Sequence, residues 1–91
     1  MNSAADIAAA QQRARKRGNL SIWTVYSHPK DFPHSYVARR FEVGSGKPEP
    51  LATADIVQGE LSTIRASFAC CGLVCLARNE GDDPVIVESW I

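Results

Sequence analysis

Two runs dense in β-branched and aromatic residues, "LSIWTVY" at 20–26 and "YVARRFEV" at 36–43, are separated by "SHPKDFPHS" at 27–35. Both runs suit extended backbone on a pleated, half-buried surface. The connection cannot continue either of them. Pro29 and Pro33 lack an N–H, and each restricts the residue before it, His28 and Phe32, to extended conformations. A stiff, wide hairpin loop is the expected result, with Phe32 tucked onto the sheet. Two further runs, "LVCLAR" at 73–78 and "PVIVESWI" at 84–91, flank the polar turn "NEGDD" and predict a second hairpin.

Between the hairpins, "GSGKPEP" at 44–50 has the composition of a turn or linker, and the stretch after it carries helix signals. Asp55 followed by Gln58 resembles a capping box, and Gly72 stands where a C-terminal glycine cap belongs. Ile56, Leu61, Ile64, Phe68 and Cys71 fall on one stripe, which predicts a core helix over 55–71. Gly59 inside it costs about 1 kcal/mol relative to alanine. At the N-terminus, residues 2–19 read as a helix capped by Ser3 and closed by Gly18 with cations in its last turn. Ile7 is its one large apolar residue beyond the start, so little is expected to anchor it.

The expected fold class is therefore α+β: a four-stranded antiparallel sheet of two hairpins in ββαββ order, with one main helix on one face. Residues 20–91 form the domain, and residues 1–19 a helical extension of it. The 91-residue length fits one small core, and 45% hydrophobic with 22% charged residues is the balance of an ordinary globular chain.

Side chains alternate across a strand, and here both sets are apolar. One side of the sheet is expected to gather Trp23, Val25, Val74, Leu76, Ile86 and Trp90. A contiguous apolar area of that kind is uncommon on a soluble monomer, and an alanine-rich helix lacks the bulk to cover it. A second copy of the chain is the expected lid, so a homodimer is predicted; the alternative is that Trp23 and Trp90 cap the edges of a single core and sheet twist hides the rest.

The formal net charge is zero, yet residues 1–45 carry seven Lys/Arg against three Asp/Glu and residues 46–91 three against seven. Mutual neutralisation within the fold or a dimer is favoured over a nucleic-acid contact, since a dedicated nucleic-acid domain usually has an overall basic excess. Arg13, Arg15, Lys16 and Arg17 read first as a solvated helix end and second as a contact for nucleic acid or another acidic partner. Cys70, Cys71 and Cys75 are odd in number and lack C-x-x-C spacing. With alanines before the basic cluster, the reverse of a secretory signal, a cytoplasmic location with free thiols is expected. No stretch approaches the roughly 18 apolar residues of a membrane span.

Candidate chemistry is sparse. His28, Asp31 and His34 could in principle ligate zinc, but their spacing is that of no standard site and loop shaping explains them equally well. The cysteines read as small buried hydrophobes rather than nucleophiles. Arg39 and Arg40 lie on opposite faces of one strand, and Arg40 is expected to pair with Glu88. The alternative is a binding patch in which arginine joins Trp23, Tyr26, Tyr36 and Trp90 to stack on a nucleotide-like or acidic ligand. No cofactor is expected, and a non-enzymatic role is favoured over a metal- or thiol-dependent enzyme.

The segments "WTVYSHPKDFPHSYVARRFEV" and "ARNEGDDPVIVESWI" resemble shared signatures of a family of short bacterial, chiefly proteobacterial, proteins with no established activity. The resemblance covers roughly residues 20–91 and leaves the N-terminal helix outside. It implies a small bacterial cytoplasmic protein and assigns no role to His28, Asp31, His34, Arg39 or Glu88.

Overall fold

The structure is a computed structural model and describes residues 4–44, 46 and 48–91. In chain order the elements are α1 (Ala4–Lys16), β1 (Leu20–Ser27), β2 (Tyr36–Val43), β3 (Leu51–Gly59), α2 (Leu61–Cys70), β4 (Cys75–Ala77) and β5 (Ile86–Trp90). The strands make one antiparallel sheet in the order β3-β2-β1-β5-β4. The proline-rich hairpin forms, but His28 is not extended as expected before Pro29: it takes a left-handed φ of 49°, in the turn that closes the loop. β1 and β2 pair without interruption from Leu20↔Val43 to Ser27↔Tyr36, and the His28 N–H closes the loop on the Ser35 carbonyl at 3.0 Å. Phe32 is half-buried.

The four-strand expectation needs correcting, because the stretch read as one helix over 55–71 divides. Residues 51–59 form the edge strand β3 on β2, and only 61–70 are helical. The break is at Gly59, whose φ of 150° no L side chain adopts readily. Local pattern lost to tertiary pairing here. Thr53, Ile56 and Val57 are β-branched, and as a strand residue Asp55 reaches Arg40 across the ladder instead of capping a helix. The second half of the predicted stripe survives: Ile64 and Phe68 are buried, with Leu61 and Cys71 packed beside them. α2 ends as expected at Gly72, where the Gly72 and Leu73 N–H groups return to the Ala69 and Phe68 carbonyls at 3.0 and 3.1 Å.

α1 corrects a second expectation, that residues 1–19 are loosely attached. Ile7, Ala10 and Ala14 are all buried. A small Cβ lets the helix axis come close to the sheet, so alanines anchor it by proximity where bulky residues would by reach. Gln11 adds a specific tie, its Oε1 accepting the Trp23 indole N–H at 2.8 Å. The helix closes at Gly18, in a left-handed conformation at φ 74°, with the Gly18 and Asn19 amides bonded to the Arg15 and Ala14 carbonyls. The Ser3 cap lies outside the described residues.

Both helices pack on the same sheet face. Its centre is Phe68, set between Trp23 and Trp90 with ring centroids 5.3 and 5.5 Å away. Each indole is buried with its N–H satisfied, Trp23 by Gln11 and Trp90 by the Glu88 carboxylate at 2.8 Å. The face expected to need an outside lid is thus assigned differently. Trp23, Val25 and Trp90 lie under the chain's own helices, and the tryptophans cannot be the reason for a dimer.

Candidate functional site

The sheet face opposite the helices holds the even-numbered side chains of β1, from Leu20 to Tyr26, beside Phe41 of β2, in register with Ile22. The β1–β5 pairing shifts between Val25 and Tyr26: Val25 faces Glu88, but Tyr26 faces Ile86. This bulge leaves Val87 packed against the helix-side core while Ile86 crosses to the open face. Beyond β5, β4 puts Leu76 on the open face opposite Ser89, and Val74 is bonded to Ile91 in both directions, at 2.8 and 3.0 Å. The open face and its β4 margin carry Leu20, Val74, Leu76 and Ile91, each at least 36% exposed.

The outer edge of β4 is backbone as well as side chain. Antiparallel partners alternate between hydrogen-bonded and non-bonded pairs. Val74↔Ile91 is a bonded pair, so Cys75↔Trp90 and Ala77↔Glu88 are non-bonded, and the N–H and C=O of Cys75 and Ala77 point away from β5. All three β4 residues are exposed. At the other margin of the sheet the β2–β3 register slips between Arg39 and Phe41, the kind of irregularity that guards an edge from further pairing.

Under α1 lies a polar network. The Arg40 side chain is 4% exposed and donates to Asp55 and Glu42, each at 2.7 Å, and to the Ser21 hydroxyl at 3.0 Å. Glu42 also accepts from Arg17 and from Asn19. Hydrogen bonds from Arg17, Asn19 and Arg40 lower the Glu42 carboxyl to about 2. Arg40 and Asp55 come from the basic and acidic halves of the chain, so part of the charge asymmetry is neutralised internally. The expected Arg40–Glu88 pair is not made: Glu88 is held by Arg65 at 2.8 and 3.0 Å and by the Trp90 indole.

The six residues named from the sequence as a binding patch do not share a surface. Trp23, Arg40 and Trp90 are buried on the helix side, and Tyr36 on that side packs against their core. Only Tyr26 and Arg39 belong to the open face, and Arg39 is ion-paired to Asp31 of the hairpin loop. Strand parity alone separates Tyr26 from Trp23 and Arg39 from Arg40 and Tyr36. Burial raises the Tyr26 phenol above its ordinary value against the opposing pull of Arg39.

His28, Asp31 and His34 are not brought together. Asp31 turns to Arg39, and His28 packs on Tyr36 at 4.9 Å between ring centroids. No three His, Cys, Asp or Glu side chains converge on a cation position among the described residues. The thiols are free; Cys70 and Cys75 are exposed, which corrects the reading of Cys75 as a buried hydrophobe, while Cys71 is half-buried and donates to the Ala4 carbonyl at 3.2 Å. Burial, with Glu88 adding for Cys75, pushes the Cys71 and Cys75 thiols up and away from the nucleophilic thiolate. Among the described residues no helix is long and apolar enough to cross a membrane.

Comparison with protein-family models, with curated proteins and with solved structures finds no match. The functional reading therefore rests on the chain's own geometry.

Proposed function

We propose that this chain is a non-enzymatic interaction module of the bacterial cytoplasm that acts as a homodimer, joined through β4. The observation carrying this reading is the outer edge of β4, where outward backbone groups of Cys75 and Ala77 coincide with the exposed side chains of Val74 and Leu76. An edge strand is self-complementary under a two-fold axis. With the axis at Leu76, Cys75 of one copy exchanges hydrogen bonds with Ala77 of the second, and the two Leu76 side chains meet on the open face. The five-stranded sheet becomes a continuous one across the pair.

Catalysis is the weaker reading because the more buried ionisable side chains are committed elsewhere. Arg40, Glu42, Asp55 and Glu88 hold elements together, and the Cys71 and Cys75 thiols are disfavoured as thiolates. A role with nucleic acid would draw on exposed cations such as Arg15 and Lys16 at the end of α1, since Arg39 and Arg40 are both neutralised.

Ala77→Pro tests the proposal. Proline at an outward-facing edge position removes the N–H offered to a second copy and none used within the sheet. Sedimentation should show a dimer for the wild-type chain and a folded monomer for Ala77→Pro. A wild-type monomer throughout the micromolar range, or a dimer that tolerates the proline, rejects β4 pairing.

A further inference from the structure

A cleft of about 380 Å³ lies on the open face, away from the β4 edge. Its floor is Ile22, Thr24 and Tyr26, successive open-face residues of β1, widened by Phe41 on one side and by Ile86 on the other. Glu49 and Pro50, just before β3, complete its lining. The cleft is open to solvent and mostly apolar, with Thr24, Tyr26 and Glu49 as the residues of its lining that carry polar groups.

Charge selects the ligand class. Arg39 is the cross-strand partner of Thr24 and the nearest strand cation, but Asp31 already neutralises it. Glu49 lines the cleft without an ion pair to any of the described residues. Among the described residues the charge left on the lining is negative, and Tyr26 and Phe41 add aromatic rings to it. An acidic lining with two aromatic rings suits a cation on an apolar body.

We propose that the cleft binds a compact apolar molecule bearing one ammonium group, its hydrocarbon on Ile22, Phe41 and Ile86 and its charge toward Glu49. The site is independent of the β4 edge, so the monomeric Ala77→Pro chain retains it.

Phenethylamine is the probe, with 2-phenylethanol and 3-phenylpropionate as neutral and anionic comparators, each titrated into the full ¹⁵N-labelled chain. Phenethylamine should give saturable shifts at the Ile22, Thr24, Tyr26, Phe41 and Ile86 amides and bind about three- to tenfold more tightly than the alcohol. Glu49→Gln should erase that preference while leaving the alcohol's affinity and the amide spectrum elsewhere unchanged. Phe41→Ala should weaken both ligands. Equal affinity of amine and alcohol, tighter binding of the carboxylate, or no saturable shift at the cleft overturns the proposal. An amine preference that survives Glu49→Gln does so as well.

Discussion

Ile7→Ala removes the largest side chain that α1 contributes to the core, and the structure assigns it a high cost. Ile7 is fully buried beside Ala10 in the cluster that includes Trp23 and Phe68. Three carbons leave the core, and at about 0.8 kcal/mol per buried methylene the transfer loss is about 2.4 kcal/mol. The neighbouring alanine is too short to fill the gap, so a residual cavity brings the total to about 3–4 kcal/mol. That is a large share of the 5–15 kcal/mol typical of a whole domain. In a domain of this size it corresponds to roughly 15–25 °C of melting temperature. Urea unfolding followed by tryptophan emission measures it, with the exposed Ala9→Ser as control. A loss below about 1 kcal/mol, or a chain lacking residues 1–17 that melts where the full chain does, would mean that α1 is not part of the core.

Arg40→Met should destabilise by about 3 kcal/mol, because Glu42 and Asp55 lose a buried partner, and adding Asp55→Asn should recover part of the loss; additive losses in a double-mutant cycle would deny the network. Stability should also fall with acid. The Glu42 carboxyl is lowered to about 2 and that of Glu88 is lowered too, so their contribution is complete above the ordinary carboxylate value near 4.5 and falls away in acid, for Glu42 as pH drops toward 2. For Glu42, which keeps some contact with solvent, this is on the order of 1–2 kcal/mol, and Glu42→Gln should flatten the slope of urea midpoint against pH. Cys75 should react slowly with iodoacetamide at neutral pH despite its exposure and faster above pH 9, with Glu88→Gln accelerating it. A Cys75 that labels at neutral pH as fast as a free thiol contradicts that environment.

How much of this was legible in the sequence follows from how local each signal is. The existence of the hairpin at 27–35 and the glycine closures at Gly18 and Gly72 depend on residues within a few positions and read correctly, but the left-handed backbone of His28 did not. The helix face of α2 was visible from Ile64 and Phe68, but β3 was not, since its identity comes from pairing with β2, many residues away. The anchoring of α1 was hidden for the opposite reason. Alanine carries little hydrophobic signal, yet it allows the close approach that buries Ile7 and Ala10. An apolar second face was rightly expected, but its membership was not. A bulge at Val87 moves Ile86 to the other side, and the phase of each strand against the helices is a tertiary property. Of the candidate patch, parity already separated Tyr26 and Arg39 from Trp23 and Arg40. The neutralisation of Arg39 by Asp31 needed the folded loop.

Amide exchange at Cys75 and Ala77, followed as protein concentration rises through the micromolar range, tests the proposed association most directly. In a monomer both N–H groups face water, whereas the Leu76 N–H, on the β5 side of the ladder, is protected. β4 pairing predicts that Cys75 and Ala77 gain protection with concentration and that Ala77→Pro abolishes the gain at Cys75. Rapid exchange at both positions at every concentration, with Leu76 protected throughout, would contradict it.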